Sequence, residues 1–309
     1  MVQVEKRYQY LFPESENGFW RNALKNIEQI TEIRIRVNQP VLIYFGAKEV
    51  SLDDEGNILY CFKHGHVFGY QEIQKLLDFW CMDSRYAFQE EIRQGFLTIK
   101  GGHRIGICGE VIKDNMGNLK TIKYISSLNI RIAHEVVGVA SQVMEKIYLG
   151  QRVLNTLIVS PPGAGKTTLL RDIIRQLSND SKRGKGKNVG IIDERGEIAA
   201  CFQGIPQLDV GPRTDVLDNC EKSIGMRMLL RTMAPEIIAV DELGSNEETK
   251  LLCQMIGRGS AIIATMHGEK EQQEKIIQKS WSEIFEVVIF LYKEEHNFKM
   301  EVCRRKDLN

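Results

Sequence analysis

The sequence predicts an α/β protein, a doubly wound parallel-sheet domain preceded by a smaller α+β domain. Three observations carry this. From about residue 152 onward the pattern strand, loop, helix repeats, as in a parallel sheet covered by helices on both faces. The runs 157–159, 189–192, 237–240 and 261–264 are short and wholly apolar, which suits strands buried on both sides. Up to about residue 133, in contrast, short strands mix with helices, and residues 31–37 alternate apolar with polar, as in a strand with one wet face. The expected division is 1–135 for the first domain, 136–151 for a linker helix and 152–309 for the second domain.

In the first domain, Ile33, Ile35 and Val37 alternate with Glu32, Arg34 and Arg36, a half-buried strand pattern. Asn38-Gln39-Pro40 turns the chain into a second strand at 41–45. Residues 71–80 read as a helix with Ile73, Leu76, Leu77 and Trp80 on one face. Leu97-Thr98-Ile99-Lys100, then Gly101-Gly102, then 104–111 read as a hairpin. Val136, Val137, Ala140, Val143, Met144 and Ile147 recur at helical spacing, with Gly150 as the stop. In the second domain, helices are expected over 166–177, 220–233 and 246–256.

Composition narrows the class. The chain has 309 residues, 43% hydrophobic and 27% charged, enough for a core without disulfide or metal staples. Lys+Arg and Asp+Glu both number 41, so the basic excess typical of duplex nucleic-acid binders is absent. The seven cysteines are scattered without a Cys-x-x-Cys pair and read as buried or idle thiols of a reducing compartment. The N-terminus has no apolar signal core. The apolar run 287–292 is far shorter than the ~20 residues of a membrane helix. A cytoplasmic protein is expected, reaching a membrane only through partners. The basic stretch 182–187 is either a solvated loop or a contact for an anionic partner.

Four elements point to chemistry. The first is Ser160-Pro161-Pro162-Gly163-Ala164-Gly165-Lys166-Thr167-Thr168, with a strand before it and a helix opening at Lys166. This is the context of a phosphate-binding loop. Glycines let backbone N–H groups approach phosphates, and the helix N-terminus adds positive charge. Lys166 is placed to reach β- and γ-phosphates, and Thr167 to give its hydroxyl to Mg²⁺. Ser160 stands where the usual pattern has Gly. The second element is Glu236-Ile237-Ile238-Ala239-Val240-Asp241-Glu242, an apolar strand ending in two acids. Adjacent carboxylates there are costly unless a cation lies near. Asp241 is the metal candidate, and Glu242 is the first candidate for activating water. The third, Ile191-Ile192-Asp193-Glu194-Arg195-Gly196-Glu197, opens onto the same sheet edge; Glu194 is the second candidate for that role. The fourth, Ile262-Ile263-Ala264-Thr265-Met266-His267-Gly268, ends a strand at a histidine. His267 could sense the γ-phosphate, link the site to a neighbouring domain, or be structural.

The order phosphate loop, acidic box, Asp-Glu strand, histidine box resembles the secretion and pilus-motor ATPases of type II and type IV systems. Arg227, Arg231, Pro235 and Glu236 match that family's lead-in to the magnesium strand, and Glu248-Thr249 matches an acid-Thr pair in the next helix. The resemblance covers about 152–292. It implies a RecA-like P-loop ATPase domain, ATP and Mg²⁺ as cofactors, and a homo-hexamer that acts on membrane-embedded channel or secretion subunits. Many pilus motors carry Gly where Asp241 stands, which makes metal handling here look like that of an ordinary P-loop ATPase. The family also draws arginines from a neighbouring domain or subunit; Arg104, Arg131, Arg195 and Arg213 are the candidates. Glu32-Ile33-Arg34-Ile35-Arg36, Tyr86-Ala87-Phe88-Gln89-Glu90-Glu91-Ile92, Gly101-Gly102-His103-Arg104 and Asn129-Ile130-Arg131-Ile132 look like a family of stage III sporulation proteins of endospore-forming bacteria. That resemblance spans nearly the whole chain. It implies a mother-cell ATPase, peripheral to the membrane through partners, that powers or assembles a channel to the forespore.

Two rivals belong to other classes. One is a nucleic-acid-associated P-loop ATPase without a membrane partner; the zero net charge and the lack of room for an added nucleic-acid module argue against it. The other is a scaffold that binds nucleotide as a switch without turnover, against which the paired Asp241 and Glu242 stand.

Overall fold

The structure is a computed structural model that describes residues 8, 10–14, 17–181, 184–244, 246–268, 284–294 and 297–304. The chain forms two compact units, residues 1–134 and 135–309.

The first unit is built on seven antiparallel strands. These are β1 (Glu32–Arg36), β2 (Gln39–Phe45), β3 (Lys48–Leu52), β4 (Ile58–Leu59), β5 (Phe96–Thr98), β6 (Arg104–Lys113) and β7 (Leu119–Arg131), in the order β4-β3-β2-β1-β7-β6-β5. Helices α1 (Asn17–Ala23), α2 (Tyr70–Trp80) and α3 (Gln89–Gln94) accompany them. The alternation is met at 32–36, where Ile33 and Ile35 are fully buried and Glu32, Arg34 and Arg36 half-buried; Val37 lies past the strand end and is half-buried. Ile73, Leu76, Leu77 and Trp80 of α2 are likewise buried. Strands β5 and β6 pair as the expected hairpin.

The second unit opens with helix α4 (Ser141–Met144), the ribbon β8 (Tyr148–Leu149) and β9 (Arg152–Val153). Here the structure corrects the expected linker helix over 136–151. Only Ser141–Met144 is α-helical, and a 3-10 turn follows at Glu145–Ile147. The apolar spacing is real, because Ala140, Val143 and Ile147 enter the core. Asp172 receives the N–H of Ala140 at 2.7 Å, which ties the segment to the second unit.

The main sheet follows, with strands β10 (Thr156–Ser160), β11 (Val189–Asp193), β12 (Thr214–Asp218), β13 (Ile237–Val240), β14 (Ala261–His267), β15 (Val287–Glu294) and β16 (Asn297–Arg304). Their order is β12-β11-β13-β14-β10-β15-β16, parallel up to the last, antiparallel pair. Helices α5 (Lys166–Ser178), α6 (Lys222–Thr232) and α7 (Asn246–Gly257) connect the strands. Successive side chains of a strand point to opposite faces, and the core divides accordingly. Ile158, Ile191 and Ala239 pack with Leu169, Leu170, Ile173 and Ile174 of α5. Leu157, Val159, Ile192, Ile238 and Val240 pack with Met226 and Leu229 of α6 and Leu252 of α7. Both faces are covered, which is why the strands read as unbroken apolar runs. The run 287–292 lies in strand β15. Among the described residues no helix is long and apolar enough to cross a membrane.

All seven cysteines are free. Burial pushes the thiols of Cys81 and Cys201 up to about 11 and about 12.

Candidate functional site

Parallel strands put their carboxyl ends on one edge, where such sheets bind ligands. Four elements end there side by side. Ser160 of β10 is in register with His267 of β14, Val240 of β13 with Ala264 of β14, and Ile192 of β11 with Val240. The phosphate loop, the histidine box, the Asp-Glu pair and the acidic box therefore share one rim.

The loop after β10 turns through Gly163 and Gly165, both left-handed at φ +73° and +88°, a conformation glycine adopts without strain. Helix α5 starts at Lys166 with Gly165 as its cap. Pro162 and Gly163 are exposed, Pro161, Thr167 and Thr168 are half-buried, and Ala164 is buried. The Ser160 hydroxyl is buried and donates to the Pro161 carbonyl at 3.0 Å. A serine here is satisfied by the loop itself, so it does not disturb the turn.

The side chains converge. The Lys166 ammonium lies 3.3 Å from the Glu242 carboxylate. His267 Nε2 is 2.9 Å from the same group, and Arg195 is 2.5 Å from its other oxygen. Burial pushes the Glu242 carboxyl up, yet the Lys166 hydrogen bond, the Arg195 charge and the His267 bond together hold it below its ordinary value. Glu242 adopts φ +51°, uncommon for a residue with a Cβ. Thr167 donates its hydroxyl to Asp241 at 3.1 Å.

Several contributors were not legible as such. Thr265, fully buried in β14, bonds Asp241 through its hydroxyl and accepts the Glu242 N–H at 2.9 Å. The one signal for it was a hydroxyl inside an apolar run. Asp193 is a scaffold: it is buried and accepts N–H groups of Glu197, Ile198 and Ala199 at 2.9–3.0 Å. Burial pushes its carboxyl up; these N–H groups pull it down without cancelling that, and the Asp241 charge adds to the rise. Glu194 pairs with Lys222 at 2.5 Å. Other expected residues lie elsewhere. Arg213 precedes β12 at the opposite edge and donates to the Ser178 carbonyl and to Asp180. Glu236 pairs with Lys187 at that same edge, while residues 182 and 183 of the basic stretch and the side chain of Thr249 lie outside the described residues. Arg131 lies 3.8 Å from Glu32 and Arg104 stacks on Phe96, both in the first unit.

A hydroxyl beside a carboxylate is a pair of hard oxygen donors that fits Mg²⁺, which takes one or two protein ligands and completes its shell with phosphate and water. Among the described residues no cluster of three or more His, Cys, Asp or Glu could hold a metal unaided, so such an ion would lean on its ligand's oxygens.

With this geometry in place, relatives can be compared. The family described as Sporulation stage III, protein AA matches residues 13–301. The chain belongs to this family. The stage III sporulation protein AA of Bacillus subtilis (strain 168) is 40% identical over 253 residues, 80% of this chain and 78% of that one. The protein ycf45 of Cyanidium caldarium is 30% identical over 190 residues, 60% of this chain and 50% of its own length. Among solved structures, the Legionella pneumophila ATPase DotB superposes with a TM-score of 0.55 at 14% identity, covering 91% of this chain and 78% of DotB. The pilus retraction motor PilT with bound ADP gives 0.54 at 16% identity, covering 90% and 80%. At such identities the likeness establishes the fold. This stage III protein AA family member has the RecA-like P-loop fold of the secretion ATPases, an α/β domain preceded by a smaller α+β domain.

Proposed function

We propose that the chain is an ATP-hydrolysing motor of secretion-ATPase type, which powers or assembles a channel between mother cell and forespore. The observation that carries this reading is the convergence of Lys166, Asp241 and Glu242 at one sheet edge. The likeness to an ATPase and to a pilus motor solved with ADP supports it. The unit of action would be a homo-hexamer held to membrane-embedded subunits.

The N–H groups of residues 163–168, at the positive end of α5, would receive the phosphates. Lys166 would exchange the Glu242 carboxylate for the β- and γ-phosphates. Thr167 and Asp241 would hold Mg²⁺, which would offset the phosphate charge. Glu242, ionised at neutral pH, would orient water for in-line attack. The water oxygen bonds to the γ-phosphorus as the bond to the bridging oxygen breaks, ADP leaves, and the water proton passes through Glu242 to the medium. Glu242 lies beside Lys166, whereas Glu194 is turned to Lys222, which favours Glu242 over Glu194 as the base. His267, bonded to Glu242, is suited to register whether that carboxylate has moved.

Hydrolysis and particle mass measured together across protein concentration test this. The rate is expected to rise as chains assemble and to vanish in Lys166→Ala. Glu242→Gln should bind ATP while losing about 10²–10⁴-fold in kcat, the range of a general base. A wild-type rate in Lys166→Ala would end the reading.

A further inference from the structure

Three nitrogen donors share the Glu242 carboxylate, and one of them is unlike the rest. Lys166 is only 10% exposed in its side chain and belongs to the phosphate loop, whereas the Arg195 side chain is 61% exposed. A side chain so open fills no core. Its backbone, however, is firmly built in. Asp193 binds the three N–H groups of Glu197, Ile198 and Ala199. From the other side Arg171 of α5 donates to the carbonyls of Glu197 and Ile198 at 2.6 and 2.5 Å. The helix that carries Lys166 therefore grips the turn that carries Arg195. Glu194, the preceding residue, is drawn away to Lys222, and Gly196 at φ +61° completes the turn. A turn held by five hydrogen bonds thus presents an exposed guanidinium at the phosphate loop.

The anion that Arg195 and Lys166 share is a protein carboxylate. A phosphoryl group that draws Lys166 from Glu242 would lie beside Arg195 as well, and a guanidinium binds phosphate oxygens in the same forked manner as a carboxylate. Arg213 and Arg227 are not so placed: the first is at the far sheet edge, and the second pairs with Glu247.

Resting on the hydrolysis reading above, we propose that Arg195 is a catalytic residue supplied by the same chain, which leaves Glu242 when a nucleoside triphosphate binds and neutralises the charge growing on the γ-phosphoryl group. It makes and breaks no covalent bond. While Arg195 and Lys166 lie against Glu242 the base is engaged, and it is released only when these cations move to phosphate.

The test uses full chains of wild type, Arg195→Ala, Arg195→Lys and Glu242→Gln, with ATP turnover and the binding of ADP and of a non-hydrolysable triphosphate analogue measured on each. Arg195→Ala should lower kcat by about 10²–10³-fold, the scale of one removed transition-state donor. It should weaken the analogue while ADP binds as to wild type, and Arg195→Lys should recover only part of the rate. Mixing Arg195→Ala with Glu242→Gln chains should restore nothing, because one chain must supply both groups. A wild-type kcat in Arg195→Ala overturns the proposal. So does weakened ADP binding, which would mark a structural role. Recovery on mixing overturns it too, in favour of an arginine shared between chains. Wild-type protein without turnover would instead bring down the hydrolysis reading itself, and this inference with it.

Discussion

Thr265 shows how the site is held at the level of single atoms. Its hydroxyl donates to Asp241 and accepts the N–H of Glu242, and its own carbonyl takes the N–H of Leu243. The Asp-Glu turn is therefore laid along β14 by one buried residue, which helps maintain the left-handed Glu242 backbone. Thr265→Val preserves shape and removes the hydroxyl, which takes away the bond to Asp241 and one of two acceptors of the Glu242 N–H, leaving Asp241 Oδ1 at 3.1 Å. The expected cost is about 1–3 kcal/mol, read as a lower midpoint in denaturant, together with a reduced kcat as Glu242 loses its position. An unchanged midpoint and rate would show that the hydroxyl does neither. Lys166 and Asp241 were legible because their motifs specify a local backbone. Thr265 was not, because its value comes from the strand beside it.

At the level of elements, close approach of helix and sheet decides what fits. A Cβ on Gly225 of α6 would stand 2.7 Å from Ile192 Cγ2, and Ile192 is a fully buried β-branched residue of an interior strand. Gly225→Ala is expected to destabilise by about 1–3 kcal/mol, the usual range for overpacking. Chemical denaturation checks this, and a neutral or stabilising result would mean that α6 rides more loosely than its contacts indicate. The four apolar strands at 157–159, 189–192, 237–240 and 261–264 and the three long helices of the second unit were legible, since apolar runs and 3.6-residue spacing reflect burial directly; β12, which is not buried, left no such run. The linker helix was legible in pattern and not in length. Ala140, Val143 and Ile147 are buried as their spacing implies. Val136 and Val137 are exposed, and Gly138 at φ +89° breaks the turn before α4 can extend backward.

For the whole molecule, each unit has its own sheet and core, and the candidate nucleotide site belongs to the second. A ligand that binds only the folded state stabilises it by RT ln(1 + [L]/Kd), about 2.7 kcal/mol at 100 Kd. Saturating ADP is accordingly expected to raise amide-exchange protection first in β10, α5 and the residues after β13. Exchange mapped by mass spectrometry checks this, and protection confined to 1–134 would contradict the placement of the site. Equal numbers of acidic and basic residues give the chain no net charge with which to draw it onto nucleic acid.

By itself the sequence determined the sheet type, the glycine-rich loop that opens α5 and the acids at the end of β13, because backbone geometry at glycines, helix termini and doubly buried strands leaves marks within a few consecutive residues. Tertiary structure alone decided which charges meet. Glu194 turns to Lys222, Asp193 becomes a buried scaffold, and Glu242 gathers Lys166, Arg195 and His267. Those choices depend on strand order and register across more than a hundred residues of chain. The physical reason is that electrostatic partners are selected by distance in space, which a local pattern does not encode.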